Sequence, residues 1–295
     1  RRSFGILSVM IPNTNDGSSR LPRLRVDLNL GTLEGLPEWS AGPRGAEDDI
    51  LAAIAAAGYE GIQAGADKVT AARRHGLAVT VGGRVDKPEQ GDELCRRFKD
   101  AGVDACTLHV GSGFESDDEG DALLAASLNA SAKHGFPLYV ETHRATIQQD
   151  CWRTLKFVER NPDIRLNGDF SHWYTGLEMV YGGFDRKLAI LQPVFDRVRF
   201  MHGRIGNPGS MQVDIGDGST GGRRFVGHFE QMWTACFTGS LKSAKPGDSI
   251  CFAPELLWSK NYYSRTFKGQ EECDRWQQAL VLARLARECF VAASK

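Results

Sequence analysis

Four side chains able to bind a hard or borderline metal ion stand one apiece at the ends of four strand-like runs. Glu141 follows Leu138-Tyr139-Val140, Asp169 follows Arg165-Leu166-Asn167-Gly168, His202 follows Val198-Arg199-Phe200-Met201, and Glu255 follows Ile250-Cys251-Phe252-Ala253-Pro254. In a closed parallel sheet all strand C-termini open on one face, so residues far apart in sequence can converge on one ion. Three carboxylates and one imidazole make an oxygen-rich site with a single nitrogen. Such a site suits one divalent ion, Mn²⁺ in first place, with Mg²⁺, Co²⁺ and Zn²⁺ as alternatives. Taken singly, each residue reads as a strand-end cap or a salt-bridge partner. Their equivalent positions are what argue for a group.

The elements that must position these residues follow a rhythm of helix, glycine and strand. Helical patterns end at Gly58, Gly76, Gly102 and Gly135, each followed within a few residues by an apolar run. A glycine after a helix takes the left-handed closing position at little cost, and basic residues just before it suit the negative end of the helix dipole. Strands are expected at about 24–31, 60–65, 77–83, 105–111, 137–143, 164–170, 198–204 and 249–257. Helices are expected at about 46–57, 67–75, 88–101, 118–134, 150–160, 184–193, 222–238 and 270–291. Eight of each, alternating, is the count of a single α/β domain folded as a (β/α)₈ TIM barrel. Asp150 is the expected N-cap of the fifth helix, and Pro88 is expected in the first turn of the third. Residues 1–22 lack periodicity and read as an N-terminal arm outside a barrel over 23–295. Residues 205–222 carry too many glycines for a regular element and read as a loop after the seventh strand, a candidate lid.

Composition narrows the partners. The 295 residues carry 36 basic and 37 acidic side chains, a formal net charge of -1, without the basic footprint of a nucleic-acid binder. The expected partner is a small molecule. Seven cysteines, odd in number and never spaced as CxxC, argue against a disulfide framework or a thiolate zinc site and for a reducing, cytoplasmic setting. No apolar stretch reaches the length of a membrane helix. The apolar core of Arg1-Arg2-Ser3-Phe4-Gly5-Ile6-Leu7 is too short for a signal peptide, although the missing initiator Met leaves a removed leader open.

Together, Leu138-Tyr139-Val140-Glu141, Gly168-Asp169-Phe170-Ser171-His172, Phe200-Met201-His202-Gly203-Arg204 and Ala253-Pro254-Glu255 resemble the xylose isomerase-like TIM-barrel superfamily over about residues 23–295. That superfamily includes sugar isomerases, ketose 3-epimerases, inosose dehydratases and AP endonucleases of the endonuclease IV type. The resemblance implies that Glu141, Asp169, His202 and Glu255 hold one divalent ion and that His172 faces the substrate. An extended segment past the strand end would let Asp169 and His172 share one pocket. It further implies that Glu141 and Glu255 flank the carbon next to a sugar carbonyl, one removing a proton and the other returning it, through a metal-stabilised enediolate. Relatives often form dimers or tetramers, so a homo-oligomer is expected.

Other residues stand near these strand ends. His109 ends the fourth strand and reads as a contact to substrate or a second metal. His143 shares a strand face with Glu141, and Arg204 shares one with His202, so both are candidate substrate contacts. Trp173, Trp258 and Tyr262 are candidate stacking partners for a sugar ring, and Lys260 for an anionic substituent. Departures from the family count as well. Ketose 3-epimerases usually place Pro after the first metal-binding glutamate, whereas this chain has Thr142-His143-Arg144. The AP endonuclease site needs a histidine on the third strand, and Leu77-Ala78-Val79-Thr80-Val81-Gly82-Gly83 supplies none. The expected activity is a metal-dependent sugar or keto-sugar isomerase or epimerase. The alternatives are a lyase of the same fold, either a dehydratase or hydratase or a C-glycoside-cleaving subunit on oxidised sugars, and a non-catalytic metal- and carbohydrate-binding barrel.

Overall fold

Alternation within the first strand, β1 (Arg23–Asn29), divides its side chains between two environments. Val26 and Leu28 join the apolar layer shared with the helices, while Arg25, Asp27 and Asn29 make their contacts inside the barrel. The other strands are β2 (Gly61–Gln63), β3 (Ala78–Val85), β4 (Ala105–Val110), β5 (Leu138–Glu141), β6 (Leu166–Gly168), β7 (Val198–Gly203) and β8 (Ser249–Pro254). Every pair of neighbours is parallel, and Arg23 to Val26 pair with Ser249 to Phe252 to close the circle. All eight strands form where expected, with β1 starting one residue early and β3 running two residues past its window. This computed structural model describes residues 11–295, so the part of the expected arm over residues 1–10 lies outside the described residues.

The helices are α1 (Glu47–Ala56), α2 (Val69–Arg74), α3 (Gln90–Asp100), α4 (Asp117–His134), α5 (Cys151–Arg160), α6 (Ser171–Gly176), α7 (Phe184–Phe195), α8 (Arg224–Leu241) and α9 (Arg275–Ala293). Local chemistry sets their ends. Ser116 and Glu119 form a reciprocal capping box at the start of α4, and Gly135 closes that helix at φ 58°, a conformation a side chain would disfavour. Asp150 caps α5 as expected, accepting from the Arg153 N–H at 2.8 Å. Pro88 instead lies ahead of α3. The Gln90 side chain accepts from the Asp86 and Lys87 N–H groups and holds that turn outside the helix. Short α6 was not expected, nor was the two-stranded hairpin of Thr266–Phe267 and Gln270–Glu271.

Inside the barrel, Ala105, Tyr139, Phe200, Cys251 and Ala253 form an apolar cluster. On β1, where Arg25 pairs with Cys251, Arg25 donates twice to Asp27, at 2.9 and 2.7 Å, with both side chains buried, and Arg25 opens toward the lower end of the barrel. Residues 11–22 run outside the barrel strands and cover this lower end. Thr14 meets the Tyr139 hydroxyl through its N–H at 2.7 Å, and Asn15 bridges to Asp248. The glycine-rich segment after β7 is pinned rather than free. Gln212 bonds Leu257 and Ser264, Gln278 bonds Ile215 and Gly216, and Met211, Val213 and Ile215 are buried. Its apolar side chains hold it against the segment after β8 and against α9, which corrects the lid expectation.

Candidate metal centre and active-site cavity

Asn29, Gln63, Glu141 and His202 all project from the upper strand ends into a cavity of about 900 Å³. Register explains the spacing of the four expected ligands. Glu141 pairs with Asn167 across β5 and β6, and a shift between Leu166 and Asn167 sets Asn167 against Phe200. That shift raises Asp169 to the level of His202. Because His202 pairs with Ala253, Glu255 stands two residues farther along its own strand. Glu141, Asp169 and His202 therefore offer ligand atoms that all lie within 4.8 Å of one another, a group that does not include Glu255. Glu255 still reaches the same nitrogen. His202 Nδ1 lies 3.3 Å from Glu141 Oε1, 3.5 Å from Glu255 Oε2 and 3.8 Å from Asp169 Oδ2.

Each carboxylate is oriented by its own neighbours. Asn167 donates to Glu141 Oε2 at 3.0 Å, and Asn29 donates to Glu255 Oε1 at 2.8 Å. Asp169 Oδ1 accepts from the Ser171 hydroxyl at 2.6 Å, and Arg204 pairs with its other oxygen. Arg204 is itself buried. Its second amino group lies 3.2 Å from Glu255, and its guanidinium covers the Tyr263 ring at 4.7 Å.

Solved structures with this barrel include L-ribulose 3-epimerase, at 14% identity over 92% of this chain and 96% of that one, with a TM-score of 0.55. D-allulose 3-epimerase from Methylomonas sp. in complex with D-allulose matches at 17% identity, 97% and 99% coverage and a TM-score of 0.53. A xylose isomerase-like TIM barrel protein from Mycobacterium smegmatis in complex with magnesium matches at 9% identity, 90% and 97% coverage and a TM-score of 0.53. What these structures share with the chain is the fold, a closed (β/α)₈ barrel. No protein-family model matches the chain, and comparison with curated sequences finds no relative. Among the described residues, no helix is long and apolar enough to cross a membrane.

Charge at the centre fits a divalent cation. Three carboxylates around one imidazole nitrogen repel each other unless positive charge lies among them. In the ion-free chain Arg204 and His202 supply it. Burial opposes a charged ring, but Glu255 and Glu141 outweigh burial and raise His202 to about 9. Burial likewise opposes ionisation of Glu141 and Asp169. The charge of His202 beside Glu141, and of Arg204 beside Asp169, nevertheless holds both carboxyls below their usual range.

The histidines form a column beside this ring. His109 lies 3.4 Å from Glu141 Oε2, His143 packs on His109 with centroids 4.2 Å apart, and His172 packs on His143 at 4.0 Å. His109 and His143 line the cavity, and with Glu141 they make a second group of closely spaced ligand atoms. Burial, reinforced by the neighbouring His172, lowers His143 to about 3, so its ring is neutral at physiological pH. His172 is fully buried beside Asp169 and Arg204. The segment carrying it is the first turn of α6, which corrects the extended geometry expected from the D-x-x-H spacing.

Other expectations change as well. Trp173 is a core residue whose indole N–H donates to Gln148, and Tyr262 is exposed at a positive φ. The ring lining the cavity is that of Tyr263. Lys260 covers Trp258 at 4.5 Å, and neither lines the cavity. Arg204 was expected to meet substrate, yet it is spent on Asp169 and Glu255. The residues that sequence reasoning missed are Asn29, Gln63 and Asn167. Their signal was a polar residue at or beside the C-terminal end of a strand, on the inward-facing parity.

Proposed function

We propose that the chain is a divalent-metal-dependent enzyme that isomerises or epimerises a sugar or keto-sugar by moving a proton on the carbon next to a carbonyl. The observation that supports this most is the convergence of the Glu141, Asp169 and Glu255 carboxylates on one nitrogen of His202, a residue that lines the cavity. Those four residues would hold the ion, Mn²⁺ in first place. When bound, the ion would polarise the carbonyl and stabilise the negative charge that develops on its oxygen.

The remaining work belongs to side chains. Of the three carboxylates, Glu141 and Glu255 line the cavity, whereas Asp169 lies behind it, paired with Arg204. Glu141 and Glu255 are therefore the two that can meet a substrate carbon, one to take a proton and the other to return it. Tyr263 and the imidazoles of His109 and His143 wall the space in which a sugar would lie.

A lyase of the same fold is the second reading, favoured by His109. Burial opposes its charged form, but Glu141 beside it raises its pKa, so the cavity wall carries an imidazole able to hold a proton and pass it to a leaving group. Elemental analysis followed by NMR of candidate sugars in D₂O tests both. Stoichiometric metal with deuterium at one carbon and an intact skeleton supports isomerisation or epimerisation. Loss of water or an aglycone supports elimination. Retained metal with no exchange on any sugar overturns both in favour of a binding barrel.

A further inference from the structure

We propose that Gln63 is a positioning residue that decides which nitrogen of His202 is offered to the ion, an inference that rests on the metal-centre reading above. The argument starts from a backbone group whose polarity is fixed. The Gly31 N–H donates to Asn29 Oδ1 at 2.8 Å, so the amino group of Asn29 must point the other way. That amino group donates to Glu255 Oε1 at 2.8 Å and to Gln63 Oε1 at 3.0 Å. The amide of Gln63 is then fixed too, its own amino group donating to Thr107 Oγ1 at 2.9 Å. Its oxygen faces His202 Nε2 at 2.7 Å.

A carbonyl oxygen only accepts, so Nε2 must carry the proton. In the neutral ring the lone pair then belongs to Nδ1, the nitrogen that faces Glu141, Glu255 and Asp169. Gln63 thus turns the metal-binding nitrogen into the ring of carboxylates and keeps the ring proton out of it. A carboxamide does this without altering the charge of the centre. A glutamate would add a negative charge, and a lysine would present a donor to Nε2 and a cation to compete with the ion. The orienting chain crosses three strands, running from β1 through β2 to β7, and a second arm from β2 to Thr107 on β4 steadies it.

The test uses Zn²⁺ alone as probe, on the full chain and on its Gln63→Leu and Gln63→Glu variants. Affinity is measured by competition with a chromophoric chelator, and the protonated and metal-bound ring nitrogens are assigned from long-range ¹H–¹⁵N correlations of ¹⁵N-histidine. The wild type is expected to bind Zn²⁺ through Nδ1 with Nε2 protonated. Gln63→Leu should bind about 10- to 100-fold more weakly, as is typical when a group orienting a metal ligand is lost. Gln63→Glu, which keeps an acceptor facing Nε2, should retain coordination through Nδ1. Zn²⁺ on Nε2 in the wild type, unchanged affinity in a folded Gln63→Leu, or loss of Nδ1 coordination in Gln63→Glu overturns this inference alone. A wild type that takes up no Zn²⁺, Mn²⁺ or Co²⁺ overturns the metal-centre reading and this inference with it.

Discussion

At the lower end of the barrel Arg25 meets Asp27 through two hydrogen bonds, one cation for one anion, with both side chains buried. At the upper end Glu141, Asp169 and Glu255 share Arg204 and His202, and His202 offsets a carboxylate only while it holds a proton. Both ends bury charge in one barrel interior, yet only the lower one is balanced without a proton or an added ion. A one-to-one buried pair cancels its own charge, although burial still raises the Asp27 carboxyl against the pull of Arg25, and removing either partner leaves a buried charge uncompensated. An acidic excess oriented by neutral amides is poised to accept a cation. On the proposed function, the difference separates a part of the barrel that only has to fold from a part that would have chemistry to do.

The largest effect should come from removing a reacting carboxylate at the upper end. Glu141→Gln and Glu255→Gln are each expected to lower turnover by about 10²- to 10⁴-fold, the range of general acid–base catalysis, with deuterium incorporation in D₂O as the readout. Little loss in either would break the contrast between the two ends. The converse test is at the lower end. Arg25→Leu leaves Asp27 buried without its cation and should cost about 3–5 kcal/mol of stability in denaturant titrations, with the metal content of the folded fraction unchanged.

Acidity sharpens the comparison further. In the ion-free chain His202 is raised to about 9, so near pH 7 it is protonated and an incoming ion must displace that proton. Calorimetry in buffers of different ionisation enthalpy should show a proton released on metal uptake, and apparent affinity should fall as pH falls below about 9. The sign for stability runs the other way. Because the folded value exceeds the unfolded one, the ion-free protein keeps this contribution at low pH and loses it as pH rises through about 9. A melting series across that range, with and without metal, checks it. The smallest effect is expected from Tyr139→Phe, which removes the hydrogen bonds to Thr14 and should cost about 1 kcal/mol without altering metal uptake.

Much of the fold was legible because its signals are local. Closing glycines such as Gly135, the Asp150 cap and the apolar runs each depend on a few consecutive residues, and each marked its element correctly. Glu141, Asp169, His202 and Glu255 stood out because four such side chains occupy equivalent strand ends, although each alone reads as a cap or a salt-bridge partner. Aromatic assignments fared worse. Trp173 and Tyr262 flank ligand strands, but which of two adjacent rings turns inward depends on backbone that no periodicity governs, and Tyr263 took the inward place. His172 was misjudged locally for a similar reason. The Ser171 hydroxyl and N–H both donate to the Asp169 carboxylate, and a helix begins at Ser171 where an extended segment was expected.

By itself the sequence determined the order of strands and helices and the chemical character of the four side chains that meet at the barrel mouth, because periodicity, capping and side-chain chemistry act over short stretches of chain. Only the tertiary structure decided that Asn29, Gln63 and Asn167 orient those side chains, that Arg204 is held by two of them, and that Glu255 stands higher on the wall than the others. Those outcomes depend on strand register and on contacts across the barrel between residues up to 226 positions apart. No local pattern encodes such distances; closure of the sheet does.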